Sequence, residues 1–190
     1  MTRPFYSGAL QLALALLLTA SWFACPVIAE AQQATQYRPD RVRAMMTSIH
    51  GYTREGLEGA SSNVDEILMM LAADDQEQML VRRQAIKGLR LYTTADVLSF
   101  IEQNSAAAPE SLKRLYLSSA AGFAGAFPAR VQALAEANLN DSEVNVRFSA
   151  LKLSDALRAT PQLTTMLQSR LALESDAGLR AAIQRRLGAN

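Results

Sequence analysis

The sequence predicts an all-α fold, an α–α superhelix of about four stacked helix pairs preceded by an N-terminal capping helix. Three observations predict it. The composition is 49% hydrophobic but only 6% aromatic, which favours helices over sheets. Apolar residues recur at helical spacing along most of the chain. A pattern of apolar and basic residues also repeats every 31 to 34 residues, and a fixed period of this length is typical of stacked helical repeats.

The first 31 residues differ in composition from the rest and are predicted to be a signal peptide. Arg3 gives a short positive start, Gly8 to Ala24 form an apolar run, and Pro26 breaks the helix before small residues suited to cleavage near Ala29 or Ala31. The alternative is an uncleaved anchor, because about 17 apolar residues is the lower limit for spanning a bilayer. The helix breaker and the small residues favour cleavage, and therefore a periplasmic or secreted protein.

Cys25 is the only cysteine of the chain. A lipoprotein signal at Cys25 is disfavoured, because Trp22 and Phe23 stand where small or aliphatic residues are expected. Removal of residues 1–31 leaves a chain without thiols, so we expect neither a disulfide nor a cysteine-bound metal. It also leaves 18 basic and 17 acidic residues, and this balance gives no reason to expect nucleic acid as a partner.

The repeat is anchored on four apolar residues spaced by 31, 34 and 33 positions, each followed by a basic residue. The anchors are Val81, Leu112, Val146 and Leu179, and the basic residues are Arg82, Lys113, Arg147 and Arg180. Positions four and eight beyond each anchor lie on the same helical face. Each anchored segment is preceded by a second apolar-periodic segment and a polar hinge, so the repeating unit is a helix, a turn and a second helix.

These units predict the domain organisation. Residues 62–190 form the repeat domain, because a single helix pair cannot cover its apolar face but stacked pairs can. Residues 32–61 form a linker with a capping helix over about 39–50, on which Val42, Met45, Met46 and Ile49 share one face. An irregular, glycine-containing segment is expected between that helix and the first pair.

The repeated motif resembles the HEAT repeat of the armadillo-type helical repeat family, in an exported, bacterial type. Asp75 to Leu89 carry it best, in the form Asp-x5-Val-Arg-x2-Ala-x3-Leu, and it is echoed after Asp141 and Asp176. The resemblance covers about residues 62–188. The second unit departs from the motif, because Pro109 replaces the turn aspartate and Tyr116 replaces the small alanine.

The resemblance implies a structural ladder, in which each repeated arginine reaches the carboxylate and backbone of a turn in its own or a neighbouring repeat. The residues are Arg82, Arg147 and Arg180 with Asp75, Asp141 and Asp176. Arginine suits this role because its planar guanidinium donates several hydrogen bonds at once.

The positions two, six and nine residues beyond each anchor face away from the core. Six of these twelve residues are basic and one is acidic; the basic ones are Arg83, Lys87, Arg90, Arg114, Lys152 and Arg185. The resemblance implies that the second helices line a concave surface, so these side chains would form one groove, called here the second-helix groove. The alternative is that basic residues late in helices serve the helix dipole.

No catalytic residue, metal site or cofactor is predicted. His50, the only histidine, has no nucleophile motif beside it and is interpreted as the end of the capping helix. Asp74, Asp75 and Glu77 do not have calcium-loop spacing and are interpreted as residues near a helix start.

The sequence therefore predicts a non-catalytic binding or scaffolding module that docks an unknown protein, acidic peptide or acidic polymer in the groove. Two alternatives remain. One is a HEAT-like lyase or modifying enzyme acting in the groove, and the other is a structural component of envelope assembly.

Overall fold

The computed structural model describes residues 36–48 and 51–188, and within these residues the fold is all-α, as predicted. The predicted signal peptide, Cys25 and His50 lie outside the described residues. In the described ranges ten α-helices and two short 3-10 turns occur, and no strand. The helices are α1 (Pro39–Met46), α2 (Arg54–Ala60), α3 (Val64–Ala73), α4 (Met79–Gly88), α5 (Ala95–Ala107), α6 (Glu110–Ala120), α7 (Pro128–Leu139), α8 (Val144–Asp155), α9 (Pro161–Leu173) and α10 (Ala177–Gly188).

The segment before the repeats contains two helices instead of the single one predicted. The capping helix α1 ends at Met46, earlier than expected, and the segment expected to be irregular forms α2. The hydroxyl of Thr53 accepts a hydrogen bond from the backbone N–H of Gly56, which caps α2, and Arg54 pairs with Glu58 one turn later. Burial of Leu57 attaches this short helix to the core. Tertiary packing thus overrides the low helix propensity of Gly56 and Gly59.

Helices α3 to α10 form four consecutive pairs, α3–α4, α5–α6, α7–α8 and α9–α10, as the repeat predicts. Threonine hydroxyls cap two of the first helices: Thr94 accepts from the N–H of Val97 at α5, and Thr160 from that of Leu163 at α9. Proline is the first residue of α7 and α9, where the missing N–H costs little.

The second helices of successive pairs pack against one another in sequence order, α4 on α6, α6 on α8 and α8 on α10. All four anchors of the repeat, Val81, Leu112, Val146 and Leu179, are buried in this core. The positions four residues later, Ala85, Tyr116, Ala150 and Ile183, are buried too. The helical period therefore identified the core face of each second helix correctly.

The first two pairs also contact each other through the 3-10 turns Leu89–Leu91 and Ala121–Phe123, which follow α4 and α6. A Cβ atom on Gly122 would lie 3.2 Å from the carbonyl oxygen of Arg90. The missing side chain at Gly122 thus allows the two turns to approach closely. Phe123 of the same turn is completely buried and Phe127 is half-buried. No helix in the described part of the chain has the length and apolar character needed to cross a membrane.

Candidate functional site

The outward faces of α4, α6 and α8 line one shallow concavity of about 460 Å³. Arg83 of α4, Arg114 of α6 and Lys152 of α8, three members of the predicted second-helix groove, all line it. Its apolar part is formed by Leu115, Leu117, Ala121 and Leu153, and its hydroxyl groups by Ser111, Ser118 and Ser149. Three successive second helices therefore each contribute one basic side chain to the same surface.

A second concavity of about 390 Å³ continues this surface onto α10. Lys152 lines both, and Arg185 lines the second together with Phe148 and Ala182. The other two predicted groove residues, Lys87 and Arg90, are exposed but line neither concavity. Arg90 lies in a 3-10 turn. Successive side chains of a 3-10 helix are about 120° apart around the helix axis, compared with about 100° in an α-helix. The direction of the Arg90 side chain therefore cannot be predicted from the α-helical period.

Most of these basic groups have no carboxylate partner in the described part of the chain. Arg114 is the exception, because Glu110 of the same helix lies 3.7 Å away, at the long end of an ion pair. Among the described residues no ion pair involves Arg83, Lys87, Lys152 or Arg185. The one acidic residue that lines the second concavity, Asp155, is paired with Arg186, with 3.0 Å between Nε and Oδ1. The groove is thus a surface of positive charge.

The ladder residues make contacts that differ from one unit to the next. Arg82 pairs with Asp75 as expected, with 2.9 Å between Nη2 and Oδ1. Arg147 donates to the backbone carbonyl oxygens of Asp141 and Ser142, both at 2.9 Å, and not to the Asp141 carboxylate.

Arg180 likewise donates to the carbonyl oxygens of Leu171 and Glu174, at 3.0 and 2.9 Å. The Asp176 carboxylate instead accepts from the backbone N–H of Leu179 at the start of α10. Carbonyl oxygens at a helix end have no partner within the helix, which is why guanidinium groups bind there.

Two ion pairs connect the turn of one unit with the second helix of the unit before, and we call them cross-turn ion pairs. Lys113 of α6 pairs with Asp141 at 2.9 Å, and Arg147 of α8 pairs with Glu174 at 2.8 Å. Neither Lys113 nor Glu174 belongs to the predicted ladder. The sequence does contain a signal for the two acids, because Asp141 and Glu174 each lie five residues before an anchor. Their basic partners lie 28 and 27 residues earlier in the chain, and the repeat period alone does not predict which residues these are.

Glu174 is the most strongly perturbed acid of the described residues. Its side chain is completely buried and receives hydrogen bonds from Arg147, from Arg170 and from the backbone N–H of Asp176. Burial by itself would raise the pKa of Glu174, but these hydrogen bonds and the two positive charges lower it to about 2. The buried charge is therefore compensated by the two guanidinium groups that bind it.

The acids at the α3–α4 turn also have structural partners. Asp74 accepts a hydrogen bond from the backbone N–H of Gln76. Glu77 pairs with Arg43 of α1 through two bonds of 2.6 and 2.9 Å, and the Arg43 guanidinium lowers the pKa of Glu77. The ion pair of Glu77 with Arg43 thus holds α1 against the first helix pair. Among the described residues, no group of acids, cysteines or histidines could hold a metal ion.

No family model, curated protein or solved structure matches this chain.

Proposed function

We propose that the four helix pairs form a HEAT-like solenoid that acts as a non-catalytic binding module through its second-helix groove. The sequential packing of α4, α6, α8 and α10 supports the solenoid, because repeat proteins stack each unit mainly on its neighbours. The proposal includes export, for which the apolar run before Pro26 is the sequence evidence. An exported protein that still carried residues 1–29 would contradict that part of the proposal.

The partner we propose is an extended acidic peptide segment. The observation that supports it is the convergence of Arg83, Arg114 and Lys152 on one concavity whose lining residues include no carboxylate. Positive charge in a groove attracts anions more strongly than the same charge on a flat surface, because the low-dielectric walls focus the field. Leu115 and Ala121, which line the concavity and are only partly buried, add apolar contact area for the backbone and aliphatic parts of a peptide.

A direct test is the affinity of a fluorescent ten-residue glutamate–alanine peptide, measured by fluorescence anisotropy for residues 32–190. The double variant Arg83→Glu/Lys152→Glu should bind at least about tenfold more weakly, because it replaces two attractive charges by two repulsive ones. Binding to the unaltered protein should also weaken as salt rises, since exposed charges are screened.

The matched control is Arg41→Glu/Arg158→Glu. Both residues are exposed and neither lines the groove, and the change in net charge is identical. This control should bind the peptide as the unaltered protein does. An equal loss of affinity in the two double variants would show that net charge, and not the groove, determines binding, and the proposal would be rejected.

A further inference from the structure

The basic residues that follow the first three anchors are about equally buried, but their carboxylate partners are not. The side chains of Arg82, Lys113 and Arg147 are 15%, 16% and 10% exposed. Asp141 and Glu174, which pair with Lys113 and Arg147, are 13% and 0% exposed, whereas Asp75, the partner of Arg82, is 83% exposed. A nearly buried guanidinium is therefore compensated only by a carboxylate in water, where an ion pair contributes little.

The position in the second unit that corresponds to Asp141 and Glu174 is occupied by Ala107, the last residue of α5, whose side chain is exposed. Asp141 and Glu174 each lie five residues before an anchor and three residues before the start of a second helix. Counting back in the same way from Leu112 or from the start of α6 leads to Ala107. The cross-turn ion pair between the first and second units therefore has a methyl group in place of its carboxylate.

A cavity of about 210 Å³ lies at this position, between the α3–α4 turn and the α5–α6 turn. Arg82, Ala107, Pro109 and Tyr116 all line it. Pro109 and Tyr116 are the two residues at which the second unit differs from the repeat motif. Both therefore lie at the same cavity as Ala107, where the carboxylate is missing. In the other units an alanine or isoleucine stands where Tyr116 stands.

The cavity offers hydrogen-bond donors as well as positive charge. Tyr116 lines the cavity together with Arg82 and Asp75, and within the described residues its hydroxyl makes no hydrogen bond. Nε of Arg82 donates to the carbonyl oxygen of Ala72 at 3.4 Å and Nη2 pairs with Asp75, while Nη1 has no bond to any described residue. A guanidinium and a hydroxyl together suit a carboxylate.

We propose that this cavity, between Arg82, Ala107 and Tyr116, binds a carboxylate group that comes from outside the repeat and replaces the missing partner of Arg82. Asp75 is mostly in water, so its side chain can turn away when the incoming carboxylate takes its place. A carboxylate is favoured over other anions because it already fills the equivalent position twice in this chain, at Asp141 and Glu174.

The decisive variant is Ala107→Glu, which supplies the missing carboxylate within the chain. It should raise the thermal unfolding temperature and abolish binding of external carboxylates. The matched control is Ala106→Glu, which adds the same charge one residue earlier at an exposed position that does not line the cavity. That control should leave both the unfolding temperature and carboxylate binding unchanged.

Binding is measured on residues 32–190 from the NMR signal of the Arg82 Nε–H group during titration with acetate and with succinate. Sodium chloride at equal ionic strength corrects for screening. A saturable shift is expected in the unaltered protein. Tyr116→Phe should weaken it about tenfold, because a hydrogen bond to a charged group is lost, and Asp75→Asn should strengthen it by removing a competing carboxylate.

Two capped tripeptides distinguish the sources of the carboxylate. One has a central glutamate and the other has glutamine in its place. Saturable binding of acetate or succinate assigns a small free carboxylate, and binding of the glutamate peptide alone assigns the side chain of a partner protein. The inference is overturned if neither probe shifts Arg82, or if Ala107→Glu still binds them, or if both alanine variants behave alike.

Discussion

Glu174 is a fully buried carboxylate that is bound by two guanidinium groups, and it connects α8, α9 and the turn before α10. Charges in such a position require all of their partners, because removal of one side leaves the other uncompensated away from water. Lys113 and Asp141 form a single, partly exposed ion pair at the corresponding position one unit earlier. These single residues hold neighbouring repeats together.

Replacement of this carboxylate should be costly. We expect Glu174→Gln to lower the free energy of unfolding by about 3 kcal/mol at pH 7, because Arg147 and Arg170 lose their counter-charge. The measurement is urea denaturation followed by circular dichroism. Glu136→Gln, at an exposed position of α7, is the matched control and should change the stability by less than about 0.5 kcal/mol.

The same pair of proteins gives a test of pH dependence. The pKa of Glu174 is lowered to about 2 in the folded protein, while an unfolded glutamate titrates near about 4.3. Its contribution is therefore fully present above pH of about 5 and is lost as pH falls towards about 2. The stability difference between the unaltered protein and Glu174→Gln should shrink over that window, and a difference independent of pH would contradict the assigned role.

At the scale of elements, the two 3-10 turns show how the end of one second helix is positioned against the next. Gly122 packs on the backbone carbonyl of Arg90, and a backbone atom cannot move aside as a flexible side chain can. Neither turn follows from the repeat motif, because the motif describes the helices and not the segments that leave them.

Gly122→Ala should therefore destabilise the protein by about 1 kcal/mol, since strain at the Arg90 carbonyl outweighs the smaller entropy of the unfolded chain. Gly125→Ala is the matched control, because no atom lies within 4 Å of a Cβ placed there. It should be neutral or stabilising by up to about 1 kcal/mol. Thermal unfolding of the two variants measures this, and equal melting temperatures would exclude a close contact between the turns.

At the scale of the whole molecule, the middle helices have neighbours on both sides along the stack. Helix α6 packs on α4 and α8, and α8 packs on α6 and α10, whereas α10 packs within the described residues on α8 and α9. In a stacked array the stability of each unit depends on its own pair and on its nearest neighbours.

Native-state hydrogen exchange should therefore be slowest in α6 and α8 and faster in α10 by about tenfold or more. The comparison is made at one pH on the same sample, so each helix serves as a reference for the others. Uniform protection from α4 to α10 would indicate one indivisible core and would argue against a solenoid.

The sequence alone determined the all-α class, the helix pairs and the buried anchors, because each follows from a period that is local to one helix. Three of the basic residues that it singled out, Arg83, Arg114 and Lys152, line one concavity. The sequence did not predict α2, whose short glycine-containing segment is helical through the Thr53 cap and the burial of Leu57.

Only the tertiary structure decided which charges meet. Asp141 lies 28 residues from Lys113 and Glu174 lies 27 residues from Arg147, so these pairs depend on how one unit stacks on the next. The same stacking brings Arg82 opposite Ala107 and opens the proposed carboxylate site. A repeat in the sequence specifies what each unit contains, but the distances between units depend on the packing of side chains that are far apart in the chain.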